Sequence, residues 1–198
     1  MFQRVGLCGT VVQEAGPVLR GVASQKGAGH GWPITVLRLL SWVFALVVVA
    51  SISNEGFINR PDSPQEFCIF NEDPAPCRLG EWAGSLALIF SSAYICLDLL
   101  LPRVSSVKEK RRLVLSDILL SGLWSLLWFA SFCVLAHQWQ LTSVEDLPLN
   151  EGANAARAAI LFCFFSIFSW GGLVLLSLEK MKRVSFEEEY NKLFTPQT

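Results

Sequence analysis

Four long stretches of the chain are almost purely apolar: Ile34–Ser53, about Gly80–Leu101, Leu113–Ala136 and about Ala155–Leu178. Each approximates the roughly 20 helical residues that cross a hydrocarbon core of about 30 Å. Such runs are too long for strands, and a helix of a soluble bundle would carry a polar stripe. The first is the purest, apolar from Trp42 to Ala50. The pattern predicts an all-α fold, a four-helix transmembrane bundle. The domain organisation follows: a flexible Gly-rich segment over 1–33, with Gly27, Gly29 and Gly31 alternating, a four-span domain over 34–178, and a short tail over 179–198. Residues 1–33 hold no apolar core of the kind a cleaved signal needs, so the first span is expected to direct insertion.

Composition agrees. The 198 residues are 52% hydrophobic and 17% charged, with mean hydropathy +0.43. Soluble domains carry about 25% charge, and a chain this apolar is not disordered throughout. A net charge of -1 leaves no global basic field to hold nucleic acid.

The basic residues set the orientation. Arg4, Arg20, Lys26 and Arg38 precede or open the first span; Arg103, Lys108, Lys110, Arg111 and Arg112 separate the second and third; Lys180, Lys182, Arg183 and Lys192 follow the fourth. The other two connections and their flanks hold only Arg60, Arg78 and Arg157. The positive-inside rule then predicts both termini in the cytosol and the first and third loops in the lumen or exterior.

Cys68 and Cys77 share the first loop, FCIFNEDPAPC. On an oxidising side of the membrane they are expected to form a disulfide, with Pro74 and Pro76 favouring the turn that returns the chain. Closing this ring constrains the unfolded loop by roughly 2–3 kcal/mol. Zinc is the alternative, but it wants four ligands, and the chain's only histidines are His30 and His137. No cofactor or metal site is expected. Cys8 reads as a reduced thiol or a palmitoylation site.

Arg38, Asp98 and Asp117 fall at similar depth near the cytosolic ends of their spans. Intramembrane charge is costly and marks a functional candidate. The simpler reading is a structural cluster in which Asp98 or Asp117 pairs with Arg38 or Arg103. The alternative is a cation or proton path in a small channel or transporter using Asp98 and Asp117. The middles of spans one, three and four hold no charge, which favours the cluster. Gly80/Gly84, Ser121/Ser125 and Ala155/Ala159 have the spacing that lets helices approach closely. Trp124 and Trp128 share a helix face.

No GxGxxG, P-loop, HExxH, GxSxG or CxxC motif occurs, and no enzyme is expected. In the tail, Tyr190-Asn191-Lys192-Leu193 fits a Tyr-x-x-apolar sorting signal, which a coat adaptor would bind as an extended strand. Ser185, after Lys182-Arg183, is a candidate phosphorylation site.

The chain resembles the synaptogyrin family of tetraspan vesicle proteins with a MARVEL-type domain. The resemblance rests on Leu37–Phe44, Asn54–Phe57 with Cys68 and Cys77, Ser105–Lys108, Val114–Asp117, LWSLLWFASFCVLAHQWQ at 123–140, Ala155–Ile160 and Phe164–Trp170. LPLNEG at 147–152 is most similar to the neuronal end of the family. The Gly-rich start, Glu81, Trp82 and His137 depart from the pattern, and a long Tyr- and Pro-rich tail does not follow. The resemblance implies a non-enzymatic, multi-pass protein of synaptic or cytoplasmic vesicles, acting in vesicle formation, trafficking and regulated exocytosis. The expected partners are the lipid bilayer, other vesicle membrane proteins, coat adaptors and a second copy of the chain, not nucleic acid.

Overall fold

The computed structural model describes residues 32–59, 66–100, 106–142 and 152–194. The Gly-rich segment before residue 32, Cys8, Arg103 and residues 195–198 lie outside the described residues. The chain forms α1 (Trp32–Glu55), β1 (Phe57–Asn59), β2 (Glu66–Cys68), α2 (Pro74–Leu100), α3 (Val107–Leu141) and α4 (Ala153–Phe194). All four helices are long and apolar enough to cross a membrane. At 1.5 Å per residue, the 42 residues of α4 extend about 60 Å, twice a hydrocarbon core. The helix therefore does not stop with the apolar stretch at Leu178.

The bundle is arranged for a lipid solvent. Large apolar side chains point outward: Leu119, Leu123 and Leu126 on α3, and Phe168 and Leu175 on α4. Inside lie small polar ones: Ser41, Ser91, Ser121, Ser131, Ser166, Ser169 and Ser177 are all buried. In lipid no hydrophobic force drives helices together, so close packing and interhelical hydrogen bonds must. The helix α4 packs along α1 and α3, and α2 lies against α1.

The small-residue pairs make these approaches. A Cβ on Gly80 would strike the Ile52 side chain and one on Gly84 the Val49 side chain, so α2 lies against α1 at both positions. Ser125 Oγ donates to the Ile167 carbonyl at 3.2 Å, and Ser41 Oγ donates to Ser169 Oγ at 2.9 Å. Ala155 and Ala159 are buried. Trp124 and Trp128 are buried too, with the Trp124 ring tilted against Trp170 at a centroid distance of 5.8 Å across α3 and α4.

At one end a cap closes the bundle. Strands β1 and β2 form an antiparallel hairpin with Phe57 opposite Cys68, and Ile69 N–H donates to the Gly56 carbonyl at 2.8 Å. The Cys68–Cys77 disulfide joins this hairpin to α2 across a Cα–Cα distance of 6.1 Å. The reversal is not at the prolines. It is the turn Phe70–Asp73, closed by Asp73 N–H on the Phe70 carbonyl at 3.1 Å, with Asn71 and Glu72 at φ 56° and 59°. Pro74 instead opens α2, where its missing N–H costs nothing, and Asp73 Oδ1 caps the helix by accepting from Ala75 N–H at 2.9 Å. Phe70, fully buried, plugs the bundle edge-on to Trp139 at 6.3 Å. Asn71 N–H donates to Thr142 Oγ1 at 3.0 Å. Gly152 enters α4 at φ +75°, where a Cβ would lie 2.7 Å from both the Glu55 carbonyl oxygen and Ile69 Cδ1. The cap therefore touches all four helices.

Candidate functional site

The opposite, basic end holds a buried charge cluster. Arg38 lies in the second turn of α1, with 1% of its side chain exposed. Its Nε donates to Asp98 Oδ2 on α2 at 2.6 Å, and its Nη2 donates to Asp117 Oδ2 on α3 at 2.5 Å. Lys180 Nζ on α4 donates to the other Asp98 oxygen at 3.0 Å. Each helix thus supplies one charge, and two cations face two carboxylates.

Other polar groups surround the cluster, although Arg38 Nη1 is buried without a hydrogen-bond partner among the described residues. Asp117 accepts from Ser177 Oγ at 2.7 Å and from Ser121 Oγ at 3.3 Å. The Arg38 guanidinium lies 4.7 Å over the Tyr94 ring, whose hydroxyl meets Ser116 Oγ at 3.2 Å. A buried charge is tolerable only when paired and hydrogen-bonded, and every charge here has a partner of opposite sign. Beside the cluster is a cavity of about 10 Å³, lined by Tyr94, Leu97, Asp98, Leu113, Val114, Asp117 and Lys180. That is room for about one water.

Depth follows from neighbours along the chain. Asp98 lies two residues from the last residue of α2. Asp117 lies five residues after Arg112, about 7.5 Å of helix. The cluster is therefore one to two turns inside the bundle. Further in, the buried polar side chains are serines, several bonded back to their own helix: Ser131 to Leu127 O at 2.9 Å and Ser166 to Phe162 O at 2.7 Å. Among the described residues no group of three or more His, Cys, Asp and Glu side chains is placed to hold a metal ion.

Arg38, Asp98 and Asp117 are thus brought together, as are Cys68 and Cys77. Lys180 is the member that sequence reasoning left in the tail, among the basic residues that follow the fourth span. Its signal was periodic: Ser166, Trp170, Leu173, Ser177 and Lys180 recur every three or four residues and continue to Val184, which marks the inward stripe of α4. Beyond the cluster, α3 and α4 run on together, joined by Arg111–Glu188 at 3.3 Å and Lys110–Glu187 at 3.9 Å. Ser185 and the exposed Tyr190 stand on this helical extension. Leu193 lies in the last turn of α4, its side chain outside the described residues. The free thiols differ in setting: Cys163 is buried, whereas Cys96 and Cys133 are exposed on the bundle's outer face.

The four helices are those of a membrane bundle, and residues 31–176 match the MARVEL family, described as a membrane-associating domain. The chain belongs to that family and, within it, to the synaptogyrins. It is 49% identical to synaptogyrin-1 of Rattus norvegicus over 148 residues, 75% of this chain and 63% of that protein. The same identity relates it to synaptogyrin-1 of Homo sapiens, with 64% of that protein covered. Synaptogyrin-2 of Bos taurus is 41% identical over 150 residues, 76% of this chain and 66% of that protein. The chain thus spans somewhat less than two thirds of the length of these curated relatives. It is a multi-pass membrane protein.

Proposed function

We propose that this protein is a non-enzymatic component of synaptic or synaptic-like vesicle membranes. In this reading it contributes to vesicle formation, trafficking and regulated exocytosis. The basic end, with both termini, faces the cytosol, and the disulfide cap faces the lumen. Its mechanism is packing: a stiff bundle associates laterally with other vesicle membrane proteins and with further copies of itself, without chemistry at any residue. The observation that carries this reading is the mutual neutralisation of Arg38, Asp98, Asp117 and Lys180. Carboxylates held by cations from neighbouring helices suit a clamp, whereas an ion path needs them available to a passing ion.

Two handles for traffic lie on the α4 extension. Tyr190 and Leu193 form the adaptor signal, and Ser185 is the phosphorylation site. An adaptor binds such a signal extended, so the last turns of α4 unwind for binding, helix ends being the first parts to open.

The test is immuno-isolation of small vesicles from cells expressing a tagged chain, paired with ion flux in proteoliposomes. Co-isolation with synaptic-vesicle proteins and no flux is the expected result. Retention in the endoplasmic reticulum would overturn the vesicle assignment. A flux abolished by Asp98→Asn or Asp117→Asn would replace the clamp with a channel.

A further inference from the structure

We infer that the membrane-proximal part of the α3–α4 extension is a binding surface for anionic phospholipid headgroups, with Lys182, Arg183 and Arg112 as its cations. Three observations carry it. The first is azimuth. On α4, Phe168, Leu175, Lys182 and Phe186 recur at spacings of seven, seven and four residues, close to whole turns of a 3.6-residue helix. Phe168, Leu175 and Phe186 are 62%, 67% and 70% exposed. The face that meets lipid tails at Phe168 and Leu175 therefore continues unbroken to Lys182.

The second is height. Lys182 lies four residues beyond Leu178, the last apolar residue of the span, about 6 Å of helix. The headgroup layer is roughly 5–7.5 Å deep on each side of the hydrocarbon core, so Lys182 falls within it and Arg183 at its outer edge. The Lys110–Glu187 and Arg111–Glu188 pairs hold α3 beside α4. The two helices run antiparallel and the Ser177–Asp117 hydrogen bond sets those residues level, so Arg112, five residues before Asp117, is level with Lys182, five residues after Ser177.

The third is charge. Those same pairs engage Glu187 and Glu188, whereas Lys182, Arg183 and Arg112 are exposed and make no ion pair among the described residues. Glu179, also exposed, opposes them from one turn nearer the membrane. Glu109, Lys108 and Glu189 stand further out on the extension. The inner layer is thus net cationic, and a basic residue near an anionic surface contributes roughly a fivefold preference.

The full chain would be reconstituted in phosphatidylcholine vesicles containing a minor fraction of phosphatidylserine. Electron spin resonance would then compare spin-labelled phosphatidylserine with spin-labelled phosphatidylcholine in the motionally restricted lipid shell. Phosphatidylserine is expected to be enriched several-fold. The enrichment should fall by most of its value in Lys182→Gln/Arg183→Gln, fall with added salt, and rise in Glu179→Gln, which removes the opposing charge. Equal partition of the two lipids, or enrichment unchanged in the double variant, would overturn the inference. The proposed vesicle role does not enter this experiment, so either can fail alone.

Discussion

At the capped end, exposed hydrogen-bonded links such as Asn71 to Thr142 are backed by a covalent one that is short in sequence, Cys68 reaching Cys77, nine residues on. At the basic end, they are ionic and long: Arg38 reaches Asp98 over 60 residues and Asp117 over 79, and Lys180 reaches Asp98 over 82. One end is held by a staple in a connecting loop, where water can satisfy what the staple leaves open. The other is held inside the bundle, where little water can replace a lost partner, the cavity beside it having room for about one. Losing one link should therefore cost more at the basic end, although no covalent bond is involved there.

The largest effect is expected from Arg38→Gln. It leaves Asp117 without a cation and Asp98 with Lys180 alone, and breaking a buried pair costs roughly 3–5 kcal/mol. Thermal unfolding of the purified protein in detergent should show the largest drop among single variants. Next is Cys68→Ser/Cys77→Ser, expected to cost roughly 2–3 kcal/mol through the freed loop. Its melting point should match that of the reduced native chain, and a native melting point in the double variant would remove the cap from the account. Gly84→Leu follows. Its side chain must displace Val49, and overpacking costs roughly 1–3 kcal/mol. Crosslinking between α1 and α2 should weaken, leaving the disulfide intact. Smallest is Lys180→Met, because Lys180 is a quarter exposed and such pairs contribute up to about 1 kcal/mol.

The same contrast decides what could be read from sequence. Spans, disulfide and depth of the three charges were legible, because each is a local matter of hydropathy, spacing or distance from a span end. The hairpin was not. Its strands are three residues each, too short for alternation to register, and their pairing is held by Cys68–Cys77 and by Phe70 in the bundle. The turn was misplaced onto Pro74 and Pro76 because proline favours both turns and first helical turns, and Asp73 as cap decides for the helix. The pairing of Arg38 with a carboxylate was legible as one alternative, but not that it holds both at once. Sequence depth makes Arg38, Asp98 and Asp117 neighbours in height only, while the helix arrangement decides who touches whom. Lys180 was hidden by an apparent boundary: the apolar run ends at Leu178, yet the helix and its inward stripe continue.

The central claim is that the four charges form one neutral clamp joining four helices. A double-mutant cycle on Arg38→Gln and Asp117→Asn, read by unfolding in detergent or nanodiscs, tests it most directly. The clamp predicts that adding Asp117→Asn to Arg38→Gln recovers stability, with a coupling of about 1–3 kcal/mol, because it removes a carboxylate left without its cation. Losses that simply add would mean that the two groups do not hold each other, and the clamp would be wrong.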